Sequence, residues 1–208
     1  MKSEKEFIRY LEPIKEIAKQ EGYDTLDDRY VEHLRARYFG NSVVIGESKR
    51  VRLRELKMSD LEKIYKFAKG TMDPVLNVFL KQSVEESVIH FEAYIAHMYP
   101  MYDYGIWAVE QKNTGEVLGL CGLGQIELDG QICTDLGYYI CSEYRNQGLA
   151  TECIEIVLDY AKNYLEFLCI YAIIKEENRI SARILRKFGF EFIKELEDRQ
   201  IFKKELAE

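Results

Sequence analysis

Residues 136–164, LGYYICSEYRNQGLATECIEIVLDYAKNY, decide the fold of this chain. The run from Asp135 to Cys141 is typical of a strand, and apolar side chains recur at helical spacing after Ala150. The turn between them contains Gly148 and the small Ala150, which allow a ligand to approach the backbone closely. The free N–H groups and the positive dipole at the start of the following helix favour a phosphate. The segment therefore predicts either an anion-binding strand–turn–helix unit or an ordinary strand-to-helix turn.

The patterns on both sides of this segment predict a mixed sheet. From Val51 onwards the predicted order is β-α-α-β-β-β-α-β-α-β-β, an α/β (α+β mixed-sheet) architecture with helices on both faces. Capping boxes that begin at Ser59 and Ser83 predict the starts of the first two helices, and Gly70 predicts the end of the first. Asp129-Gly130 and the run 113–116 predict hairpin turns.

Two further helices are predicted ahead of that sheet. Apolar residues recur at helical spacing from Lys2 to Gln20 and again from Tyr30 to Tyr38. The polar run 46–49 that follows is typical of a linker. We therefore expect a helical extension over residues 1–48 and the main domain over residues 49–208.

Composition excludes several classes of function. The net charge of −7, with 36 acidic side chains, argues against nucleic acid as the main partner. Apolar runs fall short of the roughly 18 residues of a membrane span, and the first residues lack the apolar core of a secretory signal. Five cysteines without a C-x-x-C pair indicate neither a disulfide framework nor a zinc site. We expect a cytoplasmic protein with no metal and no membrane partner, and leave its assembly open between monomer and homodimer.

Two motifs at a fixed separation resemble those of the GNAT superfamily of acyl-CoA-dependent N-acetyltransferases. The pyrophosphate loop of that family has the pattern Q/R-x-x-G-x-G/A after a central strand, and Arg145, Gly148 and Ala150 occupy its defining positions. In the branch that includes ribosomal-protein N-terminal acetyltransferases (RimJ/RimL-like), a strand ending in G-Y-x-I/L precedes the loop, as residues 137–140 do here. The same branch carries N-x-x-S-x-x-x-x-x-K-x-G-F after the loop, matched in register by Asn178, Ser181, Lys187, Gly189 and Phe190.

The resemblance covers roughly Val51 to Leu206 and implies the GNAT acyl-CoA N-acyltransferase fold behind a helical hairpin extension. It also implies an acetyl-CoA-dependent N-acetyltransferase, in which a protein N-terminus or a small-molecule amine attacks the thioester directly in a ternary complex. Backbone groups of the central strand would pair with the pantetheine arm, and the loop amides would hold the pyrophosphate. The implied cofactor-binding residues are Tyr138, Ile140, Arg145, Asn146, Gln147, Gly148, Leu149, Ala150, Thr151, Asn178 and Ser181.

Amine attack requires a base, because an ammonium ion has no free lone pair. Asp135 is the first choice, since many relatives place an acidic residue at this point of the central strand. A solvated strand-end aspartate is the alternative, and Glu127 and Glu143 are weaker candidates. Tyr138 is a candidate to protonate the leaving thiolate, although a tyrosine at this position is more often a core residue.

Three points stay open at the level of sequence. Many GNAT enzymes have a tyrosine acid where this chain has Leu185, which leaves the general acid unassigned. A second interpretation, from a different class of function, is a non-catalytic acyl-CoA-binding module with a regulatory or assembly role. The acceptor is not identified. We expect the segments around Met72 to Leu80 and Glu197 to Gln200 to select it.

Overall fold

The computed structural model describes residues 2–69 and 73–206, and the chain divides into two compact units, Met1–Val43 and Val44–Glu208. The first unit is a pair of helices, α1 (Glu4–Gln20) and α2 (Asp28–Tyr38), as predicted. Ser3 caps α1, because its hydroxyl accepts from the Glu6 N–H while the Glu6 carboxylate accepts from the Ser3 N–H. Apolar side chains of both helices form a small core of their own: Phe7, Leu11 and Leu34, with Ile14, Tyr30, Val31, Tyr38 and Phe39 packed against them.

The second unit is built on one eight-stranded sheet in the order β1-β2-β3-β4-β5-β6-β8-β7. Every neighbouring pair is antiparallel except β5 and β6, which are parallel. The strands are β1 (Val44–Glu47), β2 (Val51–Arg54), β3 (Ile106–Gln111), β4 (Val117–Leu128), β5 (Gln131–Ile140), β6 (Cys169–Lys175), β7 (Glu191–Leu196) and β8 (Arg199–Glu205).

Helices complete this unit in the predicted order, apart from a short helix at Pro74–Asn77, which the sequence did not predict. They are α3 (Leu61–Ala68), the four-residue α4 (Pro74–Asn77), α5 (Val84–Tyr102), α6 (Leu149–Asn163) and α7 (Arg179–Lys187), with 3-10 turns at Met58–Asp60 and Ser142–Tyr144. Among the residues that the structure describes, none of these helices is both long and apolar enough to cross a membrane. The mixed sheet with helices that the sequence predicts is confirmed.

Local turn chemistry explains the hairpin between β4 and β5. Asp129 and Gly130 both adopt positive φ angles, of +53° and +76°, and these are the angles that a tight two-residue turn between twisted strands requires. Ten residue pairs from Gly119↔Ile140 to Leu128↔Gln131 then hold the two strands together. The edge of β5 that faces β4 is therefore fully paired.

Strand β1 lies where the sequence predicted a linker. It pairs with β2, and Ile45 is buried. Gly46 is needed for packing, because a Cβ on this residue would lie 2.6 Å from Cγ2 of Ile156 on α6. The prediction of a linker was wrong, since a glycine that permits close packing resembles a flexible one in sequence. The domain boundary at residues 48/49 remains a proposal, and the compact units divide between Val43 and Val44.

The predicted capping boxes had different outcomes. Ser83 caps α5 by accepting from the Glu86 N–H at 3.1 Å. The prediction for Ser59 was wrong, because Asp60 makes the turn instead by accepting from the Lys57 N–H at 2.7 Å. Asp60 is held there by the buried Arg54, which donates two hydrogen bonds to it. Gly70, predicted to end α3, lies outside the described residues.

The central parallel pair separates along its length. β5 and β6 have one pair in register, Asp135↔Tyr171. Beyond it the two strands diverge, and residues 135–138 of β5 and 172–175 of β6 line a cavity between them. This separation sets the place of the site.

Candidate active site

Two adjacent cavities occupy the separation between β5 and β6. The sheet cavity, of about 400 Å³, is lined by residues of α4, β5, β6 and α7. The loop cavity, of about 360 Å³, is lined by the end of β5, the following loop and the starts of α6 and α7. Four residues line both cavities: Asp73, Tyr138, Asn178 and Ser181. Because they share these walls, we treat the two adjacent cavities as parts of one candidate site.

The loop before α6 presents its backbone to the loop cavity. Asn146 and Gly148 adopt positive φ angles of +60° and +79°, while Gln147 between them does not. Loops of this kind turn successive N–H groups into a concave surface that binds anions. Within the described residues no side chain caps α6 at Gly148, so the N–H groups of its first turn are open to a ligand.

Arg145 supports the loop through the end of β5. Its Nε donates to the Ile140 carbonyl at 2.8 Å, and its guanidinium lies 5.3 Å from the centre of the Tyr139 ring. Ile140 and Arg145 also line the loop cavity. One lone pair of the Ile140 carbonyl is therefore occupied by Arg145, and the other remains free to accept a hydrogen bond.

Asn178 and Ser181 lie on the opposite wall, at the start of α7. The Asn178 Oδ1 accepts from the Ser181 N–H at 3.1 Å, so Asn178 caps the helix. Both residues nevertheless line both cavities. The cap orients the Asn178 side chain at the junction of the two cavities.

The Tyr138 hydroxyl is buried beside this junction. It lies near Ser181, but no well-aligned hydrogen-bond partner exists for it among the described residues. Burial raises the pKa of Tyr138 to about 12, with the nearby Ser181 acting in the opposite direction. The side chain is therefore protonated at neutral pH and has a proton to donate.

Asp135 lines the sheet cavity in a partly buried position. Its Oδ1 is 2.8 Å from where a Cβ of Gly124 would be, so the missing side chain on β4 makes room for the carboxyl group. Burial of that group raises the pKa of Asp135 to about 6. A base with a pKa near neutrality is suited to accept a proton from an amine. Glu127 and Glu143 are exposed and line neither cavity.

Asp73 is a site residue that the sequence did not single out. It precedes α4, where its carboxylate accepts from the Val75 N–H at 3.0 Å, and burial raises its pKa. An aspartate followed by proline is a helix-start signal in sequence, but that signal does not show which cavity the carboxylate lines. The other lining residues that sequence reasoning missed include Tyr144, Lys175, Glu177, Ile180 and Ile184.

The segments expected to select an acceptor are only partly found at this site. Asp73, Pro74 and Val75 of the first segment line the sheet cavity, while Met72 lies outside the described residues. The second segment, around Glu197 to Gln200, lines neither the sheet cavity nor the loop cavity. In the part of the chain that the structure describes, no three His, Cys, Asp or Glu side chains are grouped to hold a metal ion.

Comparison of the sequence with known proteins gives the family and several relatives. A family model described as "Acetyltransferase (GNAT) domain" matches residues 50–191. The chain is 32% identical over 93 residues to "Uncharacterized protein YkkB" of Bacillus subtilis (strain 168), covering 45% of this chain and 54% of that protein. It is 26% identical over 148 residues to "Uncharacterized N-acetyltransferase YoaA" of the same organism, covering 71% of this chain and 82% of that protein. The chain thus spans about half the length of the first relative and most of the second.

Solved structures of the same fold include enzymes named for different acceptors. The ribosomal-protein-S5-alanine acetyltransferase from Vibrio fischeri has a TM-score of 0.61 at 18% identity, over 78% of this chain and 96% of that one. The spermidine N-acetyltransferase from Vibrio cholerae, described as dodecameric, has a TM-score of 0.62 at 19% identity, over 76% and 95%. At these identities the likeness concerns the fold. Since the family model covers most of the sheet and both cavities, the chain belongs to the GNAT acetyltransferase family.

Proposed function

We propose that this chain is an acetyl-CoA-dependent N-acetyltransferase that acts on a primary amine. One observation carries the proposal: an uncapped helix N-terminus and a partly buried carboxylate line adjacent cavities at the point where β5 and β6 separate. The first is suited to a diphosphate and the second to an amine. The same proposal assigns transfer to residues 49–208 and leaves the helical extension 1–48 outside the reaction.

The loop cavity fits the donor in two respects. A diphosphate is compatible with the open N–H groups at Gly148, because Gly148 lines the loop cavity and no side chain among the described residues caps α6 there. The buried Tyr138 hydroxyl has no protein partner among the described residues, and a ligand in the adjoining cavities would supply one. When bound, acetyl-CoA supplies the activated acetyl group. Residues 145–151 would hold its diphosphate, and Tyr138, Ile140, Asn178 and Ser181 would contact its arm.

Two side chains would manage the protons of the transfer. Asp135 is ionised above pH 6 and would take a proton from the amine, directly or through a water molecule. Tyr138 remains protonated and would give its proton to the departing thiolate. Leu185, where many relatives have a tyrosine, cannot act as the acid, so the proposal gives that task to Tyr138.

The charge of the sheet cavity favours a cationic acceptor. Asp73, Asp135 and Glu177 contribute three carboxyl groups to its walls, and Lys175 contributes one ammonium group. The remaining side chains are largely apolar, including Val75 and Leu185. An alkylammonium ion or a protein N-terminus has the matching combination of positive charge and apolar carbon. Fold relatives named for a ribosomal protein and for spermidine are consistent with both acceptor classes.

Steady-state release of CoA thiol from acetyl-CoA tests the proposal. The purified protein would be assayed with N-terminal peptides, polyamines and aminoglycosides, and each product identified by a mass increase of one acetyl group. Turnover that requires an amine supports the transferase. Saturable binding of acetyl-CoA without turnover on the whole panel would instead support the non-catalytic module.

A further inference from the structure

The turn between β1 and β2 contacts the start of α6 through Arg50. The Arg50 Nη2 donates to the Gln147 carbonyl at 2.7 Å, and its Nε donates to Glu152 Oε1 at 2.7 Å. The Ser48 hydroxyl donates to the other Glu152 oxygen, Oε2. The Arg50 carbonyl in turn accepts from the Lys112 N–H at 3.0 Å, which fixes the turn to the hairpin of β3 and β4. Arg50 thus links the sheet edge to the loop of the candidate active site.

The bond to Gln147 sets the direction of a loop amide. In a trans peptide the C=O group and the N–H of the next residue point in opposite directions. Because the Gln147 carbonyl points toward Arg50, the Gly148 N–H points away from Arg50. Gly148 lines the loop cavity and Arg50 does not. The arginine therefore holds this N–H toward the side on which an anion would bind.

The ion pair between Arg50 and Glu152 neutralises a negative charge at the start of α6. Glu152 lies in the first turn of α6, where its negative charge would repel a bound diphosphate. Burial favours the neutral form, but hydrogen bonds from Ser48 and Arg50 outweigh it and lower the pKa of Glu152, so the group is ionised at neutral pH. Arg50 at 2.5 Å from Glu152 Oε1 neutralises that charge.

We propose that Arg50 is a positioning residue for the acyl-CoA diphosphate, acting through the Gln147–Gly148 peptide and through Glu152 without touching the ligand. The inference rests on the proposed function. The sequence had assigned the neighbouring residues to a linker, so no motif pointed to this role. The positioning role predicts that loss of Arg50 weakens binding of the donor that contains the diphosphate. Steps that do not involve the diphosphate should be unaffected.

The test compares two donors across matched variants. Affinity for CoA is measured by calorimetry, and kcat/KM is measured with acetyl-CoA and with S-acetylpantetheine, which carries the thioester but no diphosphate. We expect Arg50→Ala to raise the Kd of CoA about tenfold, the scale of one charge-assisted hydrogen bond. Its kcat at saturating acetyl-CoA and its kcat/KM with S-acetylpantetheine should remain within about twofold of the parent values.

Two further variants complete the design. Arg50→Lys keeps the charge and one donor, so its Kd should rise only about threefold. Arg52→Ala, which removes the ion pairs to Glu47 and Glu110 without touching the loop of the candidate active site, is the control and should bind CoA as the parent does. Thermal unfolding confirms that each variant is folded. If Arg50→Ala does not fold, the Arg50→Lys variant tests the role instead. Weaker CoA binding with unchanged kcat/KM for S-acetylpantetheine supports the role, and unchanged CoA affinity overturns it.

The possible results separate this inference from the proposed function. Parent protein that binds CoA, together with an Arg50→Ala variant that binds it equally well, overturns the positioning role and leaves the function intact. Equal losses with both donors overturn it as well, since they indicate a general structural effect. Parent protein that binds no CoA refutes both.

Discussion

Replacing Asp135 by asparagine should slow acetyl transfer and stabilise the fold at the same time. The carboxyl group is partly buried, and burial raises the pKa of Asp135 from its ordinary value of 3.8 to about 6. Below pH 3.8 the group is neutral in both the folded and the unfolded chain and has no effect on the free energy of unfolding. As the pH rises from 3.8 to about 6, the unfolded chain releases this proton while the folded protein retains it, so stability falls; above pH 6 the folded protein bears the full cost of the buried charge.

The size of the effect follows from the pKa. The difference between 3.8 and about 6 corresponds to about 3 kcal/mol, which partial exposure of the carboxyl group reduces to about 2 kcal/mol. Asparagine has nearly the same shape and does not ionise. The free energy of unfolding of Asp135→Asn should therefore exceed that of the parent by about 2 kcal/mol at pH 8. At pH 4 the two proteins should have nearly equal free energies of unfolding.

The catalytic effect has the opposite sign. Loss of a general base costs about 100-fold or more in rate, so kcat/KM at pH 7.5 should fall by that factor. Below pH 6 the parent loses its ionised base as well, and the difference between the two proteins should narrow. Urea denaturation at pH 4 and pH 8, with thiol release from pH 5 to 9, measures both quantities. Glu127→Gln, which changes an exposed carboxylate outside both cavities, is the control.

Either of two results would refute the role of Asp135. Equal rates of parent and variant at every pH would remove it as the base. Equal unfolding free energies at pH 8 would show that the folded protein buries no costly charge at this position.

Three other substitutions test separate parts of the structure. Gly148→Glu should lower CoA affinity at least 100-fold, measured by calorimetric titration, because it places a negative charge at the anion site. Gly115→Glu is the control for backbone strain, since Gly115 has a similar φ of +73° in a hairpin turn, and it should bind CoA normally. Tyr138→Phe should lower CoA affinity no more than about tenfold, the scale of one hydrogen bond, but reduce kcat at saturating substrate about 10- to 100-fold. The fold should lose no stability, because the hydroxyl has no protein partner among the described residues. Unchanged kcat would remove Tyr138 as the acid. Arg54→Ala should destabilise the fold by about 3–5 kcal/mol in urea denaturation, since it leaves the buried Asp60 carboxylate without its cation and Glu110 with Arg52 at 3.6 Å. A loss below about 1 kcal/mol would contradict that account.

The central part of the fold could be predicted because its signals are local. The strand, the glycine turn and the amphipathic helix around Gly148 each depend on residues close together in the chain. The spacing of Asn178 and Ser181 behind that loop added a second motif, and the structure brings both motifs to adjacent cavities. For Asp135 the sequence supplied the residue, while its raised pKa depends on burial that only the folded chain shows.

The features that escaped prediction depend on contacts between distant segments. Gly46 resembles a linker glycine until the packing of Ile156 against it is known. Asp73 carries a local helix-start signal, but its place in both cavities follows from how α4 packs against β5. Arg50 lies 97 positions from the carbonyl that it holds, and no pattern in its neighbourhood indicates that partner.

The claim on which the account rests is that the amides beginning at Gly148 bind the diphosphate of acetyl-CoA. Calorimetric titration of the parent chain and of its Gly148→Glu variant with acetyl-CoA tests this claim directly. We predict saturable binding of one molecule per chain by the parent and no measurable binding by the folded variant. Absence of binding by the parent, or equal affinities of parent and variant, would contradict the claim.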